Sequence, residues 1–465
     1  NRTDALFHPS RENEGPSNEE TINKLKKYAQ KEDLRGIGTI SKAIEALKLE
    51  PEEIKELIQK GHILALKQLV KNVVFLSHHN TIVLYIANTN SLATQVNVVT
   101  MLLKKKVWTA QHAIDLLNEH TKTENNPALE GLWDVMRTQE ISHKIVEQLI
   151  KKGNTDVLAA LAKNVLQLGC PEQILSYIRN APSQIQAKVV KTLLEKKVLQ
   201  AKDAIDLLKH HGEANNNEAL GSIWAATVES KISDQIVEKL IKEKDTKMLI
   251  QLVNIPAFNQ HRSIVTHIAN EPSENQLSLL TKFSEAGALK EQYITELIQD
   301  HINKKNTAAL KALWPIVKNK GIHLEITKIL IRKADIKALE LLHENSLYLG
   351  PYKHIAACIA KMQDIKQQNT VTIQMQEADI LSVHGVSELM HIYINQNKVA
   401  SLEHFLTAVQ EGEIDHEDNL LEILQKHAYD HSLKPETHSP IKTFIENNIK
   451  AAIYICLFFF GEKQI

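Results

Sequence analysis

The chain is poor in the residues that interrupt helices and in those that build most chemical sites. Its 465 residues include only 15 glycines, 12 prolines and three cysteines, and aromatic side chains make up 5%. Scarce breakers beside abundant Leu, Ile, Ala, Lys, Glu, Gln and Asn favour helix over sheet, because straight-chain residues lose little rotamer freedom in a helix. Cys170, Cys358 and Cys456 form no CxxC pair and no zinc spacing, and such sparse cysteine fits a reducing, intracellular compartment. The net charge is −1 and the pI about 7.2, so no global field draws in nucleic acid or an anionic membrane. No apolar run reaches the roughly 20 residues a bilayer-spanning helix needs. The sequence also lacks GxGxxG, GxxxxGK[ST] and GxSxG, and with them the commonest phosphate cradles and nucleophile elbows. "RGIGT", Arg35 to Thr39, has glycines but no strand before it and reads as a helix break. Cys170 precedes Pro171 at an expected helix start, where a lone thiol without histidine and acid is structural.

What the chain has is repetition. "NNPALEGLW" ends at Trp133, "NNEALGSIW" at Trp224 and "NTAALKALW" at Trp314, steps of 91 and 90 residues. "AIDLLNEH" from Ala113 returns as "AIDLLKHH" from Ala204, and "IVEQLIKKG" from Ile145 as "IVEKLIKEK" from Ile236. A shorter period lies inside the long one. An apolar I-x-x-L/I opening recurs at Ile54, Ile82, Ile114, Ile145, Ile174, Ile205, Ile236, Ile264, Ile294, Ile326 and Ile355. Each step holds two helical stretches, so the unit is a helical hairpin of about 30 residues, three to a module of about 91. One hairpin cannot bury its own apolar face and must stack on its neighbours. Pro127, Pro171, Pro182, Pro272 and Pro351 fall where helices should start, a place that wastes no hydrogen bond.

The fold expected is all-α, a right-handed α-solenoid of such hairpins. Residues 1–20 read as a flexible tail, 21–362 as the regular array, 363–445 as degenerate helical repeats and 446–465 as an apolar capping or docking segment. In the third of these, "QDIKQQNTVTIQMQEADI" reads as a long loop or an irregular helix pair. Ala451 to Phe460, ten apolar residues, reads as a cap on the last hairpin or as a docking segment for a partner or a membrane surface. No signal-peptide pattern opens the chain, and its first residue is Asn rather than Met, as expected of a processed or trimmed fragment.

The tryptophans share a helical stripe with leucines: Leu129, Leu132, Trp133 and Met136 keep the i, i+3, i+4, i+7 rule. They are therefore expected in the core, as bulky fillers once per module. Ala128, Ala219 and Ala309 let the neighbouring helix approach. His120, His211 and His301 keep the same step. They are expected near helix ends, where the dipole favours imidazolium, with a groove-lining ladder for a partner as the sharper alternative. His427 and His431 stand one helical turn apart with Asp430 beside them, a spacing that can clamp zinc; without an HExxH glutamate they remain the weak metal candidates. The lysine pairs Lys105-Lys106, Lys151-Lys152 and Lys196-Lys197 also belong near helix ends. No catalytic or cofactor-binding residue and no cofactor is expected.

On these repeats the chain resembles the α-solenoids of helical hairpins, in the style of tetratricopeptide, pentatricopeptide and HEAT-like arrays. It departs from the tetratricopeptide signature of Trp, Leu-Gly, Tyr, Ala and Pro and from the Thr-Pro-Leu-His of ankyrin repeats. Its Asn-, Lys-, Gln- and His-rich composition resembles proteins of AT-rich genomes, among them secreted effectors of intracellular bacteria. The resemblance implies a soluble cytoplasmic scaffold, in the host cytoplasm if it is an effector. Its function would be non-enzymatic, the holding of another protein. Single-stranded RNA binding and an activity in the irregular C-terminal region are the alternatives. RNA binding would need a positive charge in every repeat, and the lysine clusters recur unevenly.

Overall fold

The computed structural model describes residues 17–461 apart from Leu289 and His431, with side chains described as far as Ala452. Among the described residues there are thirty helices and no strand. All eleven isoleucines of the repeated opening are buried, none more than 3% exposed. Each begins the apolar stripe of a hairpin's first helix.

The chain forms two compact units. One runs to Ile236 and takes back Gln251–Asn259; the other comprises Val237–Ile250 and everything from Gln260. In the first unit the first helices of successive hairpins, His79–Ala87, Ala110–Lys122, Ser142–Lys152, Pro171–Arg179 and Ala201–Glu213, pack each on the next. Their partners Leu92–Lys104, Asn126–Thr138, Thr155–Asn164, Ser183–Glu195 and Asn217–Glu229 form a second row in the same way. The second unit repeats the plan. Its first row is His261–Ala269, Glu291–Asn303, Ile322–Arg332, Tyr352–Ala360 and Val383–Asn395. Between the rows lies a continuous apolar layer, as expected where no single hairpin can close its own core.

The turns explain how so few glycines suffice. Glu124, Asn215 and Lys305 adopt φ of 52°, 53° and 52°, the left-handed region that normally favours glycine. Each closes a helix whose carbonyl, at His120, His211 or His301, accepts from the amide of the next helix's cap at 2.9 Å. The caps are Asn125, Asn216 and Asn306. Their side-chain oxygens accept from the amides of Ala128, Ala219 and Ala309 at 3.2, 3.1 and 3.2 Å, satisfying a donor the helix itself leaves orphaned. Those alanines are buried, as expected of residues over which another helix passes.

Three expectations need correction. The first helix begins at Asn18 with Ser17 as its cap, inside the segment read as a tail. "LRGIGT", Leu34–Thr39, is a short helix and not a break, because Asp33 caps it through the amide of Gly36 at 2.9 Å. The Gln-rich stretch after Met362 is one regular helix, Ile365–Glu377, whose Gln368 is buried. Ala451 to Phe460 continues the helix Pro435–Gly461; its side chains beyond Ala452 lie outside the described residues.

Candidate functional site

Trp133, Trp224 and Trp314 are in the core at 1%, 0% and 5% exposure. Trp133 and Trp314 donate their indole N–H to the carbonyls of Gln167 and Tyr348, both at 3.3 Å. Trp224 has no such acceptor; at the matching place Phe258 stacks on it, ring centroids 5.3 Å apart. The tryptophans thus present no face to a partner.

The histidine ladder is inside as well, which corrects both readings of it. His120, His211 and His301 are 1%, 3% and 0% exposed, so they neither line a groove nor carry charge at a helix end. Burial holds each imidazole below its ordinary pKa, in the neutral form. Their ring Nε2 atoms meet the side-chain oxygens of Gln95, Gln186 and Gln276 at 2.9, 2.8 and 2.7 Å. Each glutamine's amide nitrogen donates to a carbonyl in the preceding turn, of Thr89 (2.6 Å), Ala181 (2.7 Å) and Glu271 (2.7 Å). That leaves the glutamine oxygen as acceptor and fixes the proton of each histidine on Nε2. The fourth repeat keeps the device with a different donor: the Tyr393 hydroxyl bonds Gln368 at 2.9 Å, and Gln368 bonds the Met362 carbonyl at 2.7 Å. Burial pushes the Tyr393 phenol far up, so it too stays neutral. None of these four turns contains a left-handed residue. The 91-residue step therefore records one hairpin turn in three that is held by a Gln–His or Gln–Tyr pair.

Of the proposed metal pair, His431 lies outside the described residues. His427 is half-buried with its ring 5.5 Å from that of His391, edge to face, and burial and the neighbouring imidazole hold its pKa down.

The open chemistry lies on the first-helix row of the second unit. A cleft of about 540 Å³ is lined by Tyr352, His384, Ser387, Glu388, His391 and Glu417, among others. Tyr352 is 47% exposed. Glu417 pairs with the His384 ring, and Glu388 lies at the 4.0 Å limit from the Lys353 ammonium. The Ser387 hydroxyl is buried with no hydrogen-bond partner and so has no base bonded to it. An aromatic face and two carboxylates are what the cleft can offer a ligand. The residues were missed in the sequence, yet one trace was there. His384, Glu388 and His391 keep i, i+4, i+7 spacing on one helix, a polar stripe opposite the buried one.

No family model matches the chain, and no curated protein matches it significantly. Among solved structures, a "circular tandem repeat protein with novel repeat topology and enhanced subunit contact surfaces" is 12% identical. That match covers 96% of this chain and 98% of the other, at a TM-score of 0.13. The pentatricopeptide repeat protein PPR10, in complex with an 18-nt psaJ RNA element, is 12% identical over 93% of this chain and 82% of the other, at a TM-score of 0.18. No helix among the described residues is long and apolar enough to cross a membrane.

Proposed function

We propose that the chain is a non-enzymatic scaffold that holds an extended segment of another protein in the Tyr352 cleft. The observation that carries this reading is an exposed aromatic ring beside carboxylates in one cleft. Tyr352 is 47% exposed, and the Glu388 carboxylate stands 4.0 Å from the Lys353 ammonium, far enough to take a closer basic partner. Glu388 and Glu417 face the cleft beside Lys353, His384 and His391, and Tyr352 offers a ring face. A segment bearing lysine or arginine fits both, through the carboxylates and through cation–π contact. The array's repeating groups are spent on its own turns and core, which supports a role of presenting surface.

Selection of displayed peptides on the full chain tests this. Peptides with a basic residue beside an apolar one should be enriched. Tyr352→Ala with Glu388→Lys should abolish the enrichment and leave the helical circular dichroism signal unchanged, since both side chains are at the surface. Random enrichment, or enrichment indifferent to those changes, overturns the reading. So does single-stranded RNA binding below about 10⁻⁶ M at physiological salt, tighter than non-specific association.

A further inference from the structure

We propose that a second cleft, between the helices Ile322–Arg332 and Tyr352–Ala360, binds a small multivalent anion of the phosphate class, with Arg332 and Lys361 as its main contacts. The cleft holds about 250 Å³ and is lined by Lys328, Arg332, His354, Cys358 and Lys361, with Glu325 as its one acid. Lys328 and Arg332 stand one helical turn apart, so they share a face; Cys358 and Lys361 do the same on the facing helix. Three cations therefore converge on one concavity in a chain whose net charge is −1.

Only one of the three is offset from within. Glu325 bonds Lys328 at 3.0 Å, and among the described residues neither Arg332 nor Lys361 has a carboxylate in ion-pair range. Like charges gathered in a cleft with apolar walls raise the local potential and concentrate anions there. The walls here are Leu324, Ala357 and Met362. The cleft is also braced. His354 Nε2 meets the Leu324 carbonyl at 2.9 Å across the two helices, which makes that nitrogen the donor. The Cys358 sulfur lies 3.5 Å from the same nitrogen, so His354 cannot serve it as a base. Burial raises the thiol's pKa against the pull of Lys361, Lys328 and Arg332. Cys358 is a wall of the site, a thiol that reacts slowly because burial disfavours its thiolate. A guanidinium fork and an ammonium suit phosphate oxygens, and the volume admits one or two phosphoryl groups.

Cys358 makes the site readable, and Cys170, exposed in the other unit, supplies the control. The full chain is dialysed against labelled pyrophosphate, and its alkylation by iodoacetamide is followed cysteine by cysteine by mass spectrometry. Pyrophosphate should bind and slow alkylation of Cys358 at least threefold (roughly, for a site mostly occupied), leaving Cys170 unaffected. Sodium chloride at equal ionic strength should not. Arg332→Gln with Lys361→Gln should weaken binding at least about tenfold, as loss of charge-assisted bonds does, with melting unchanged because both side chains are exposed. A phosphoserine peptide and its unphosphorylated twin separate the sources. Protection by pyrophosphate assigns a small-molecule anion, and protection by the phosphopeptide alone assigns a phosphorylated protein. No binding by either, protection equal to that of chloride, or binding that survives the double substitution overturns the proposal.

Discussion

Replacing His120 by leucine should show what the Gln–His pair contributes. The side chain is 1% exposed, and its partner Gln95 is 3% exposed, so water cannot take over the lost bond. His120→Leu leaves the Gln95 oxygen buried and unpaired, which costs about 1–3 kcal/mol. Gln95→Leu strands both the His120 N–H and the Thr89 carbonyl, which Gln95 otherwise meets at 2.6 Å, and should cost at least as much. The double variant removes both ends of the side-chain bond. It should therefore be less destabilised than the sum of the singles, with a coupling of about 0.5–3 kcal/mol. Urea unfolding followed by circular dichroism measures all four corners. Additive singles, or singles that each cost under ~0.5 kcal/mol, the range of featureless surface changes, would refute the reasoning. The pH dependence gives a second check. The folded pKa of His120 lies below its ordinary value because burial opposes the charged ring. From about a unit above pH 6.5 upward both states are neutral and the residue adds no slope. As pH falls from there towards the folded pKa, the unfolded chain takes up a proton that the folded one refuses. Stability then drops by up to ~1.4 kcal/mol per pH unit per such histidine. His120→Leu should remove one histidine's share of that slope and leave the slope above that range unchanged.

Trp133→Phe and Trp224→Phe should differ by about 1 kcal/mol in urea unfolding, because only the first takes a donor from a carbonyl and the second removes a donor that is already unmet. Glu124→Gly should not lower stability and should raise it by up to about 1 kcal/mol, since a left-handed φ of 52° strains a side chain that glycine lacks; a loss above that size would mean the Glu124 side chain contributes contacts that outweigh the strain. Asn306→Ala should cost about 1 kcal/mol, the usual loss of a helix cap, with hydrogen exchange accelerating first at Ala309, whose amide it bonds.

Much of this architecture was legible because the residues that carry it are local and repeated. The isoleucine opening marks eleven successive first helices, and the tryptophan stripe predicts its own burial. The histidines were misjudged for an identifiable reason. Their partners stand 25 residues upstream, on the far side of a turn, and a helix-end position looks solvated when the sequence alone is read. The missing signal was present: Gln95, Gln186, Gln276 and Gln368 keep the same ruler, with steps of 91, 90 and 92. The turns hid themselves differently. Among the described residues thirteen non-glycine residues take positive φ against six glycines, so the glycine punctuation that marks most helix ends is found at only a minority of the turns. The region after Met362 looked irregular because it is polar, yet its polar residue Gln368 is one the fold buries. The clefts were illegible for a stronger reason. Tyr352 and Glu417, or Arg332 and Lys361, belong to different hairpins, and only stacking decides which side chains share a concavity.

The long period and the clefts have one explanation between them. A hairpin turn can be fixed by a left-handed residue followed by an Asn or Asp cap, as at Glu124-Asn125, Lys244-Asp245 and Ala334-Asp335. Alternatively, a buried glutamine can hold the turn's carbonyl. The second device leaves a glutamine oxygen inside the protein, and an unpaired buried acceptor is expensive. It therefore obliges the next hairpin to bring a donor. That obligation is met by histidine three times and by tyrosine once, and it couples sequence positions 25 residues apart, once per module, without reference to any ligand. The repeated residues are thus accounted for by folding. The proposed binding belongs to the two clefts flanking Tyr352–Ala360, whose residues follow the ruler only in part: Glu388 falls in step with Asp115, Asp206 and Glu296, while Tyr352 and Lys361 match no like residue. A variant series that exchanges Tyr393 for histidine should then leave both clefts unchanged in binding while restoring an acid-labile slope to the fourth repeat, separating the scaffold's ruler from its surface.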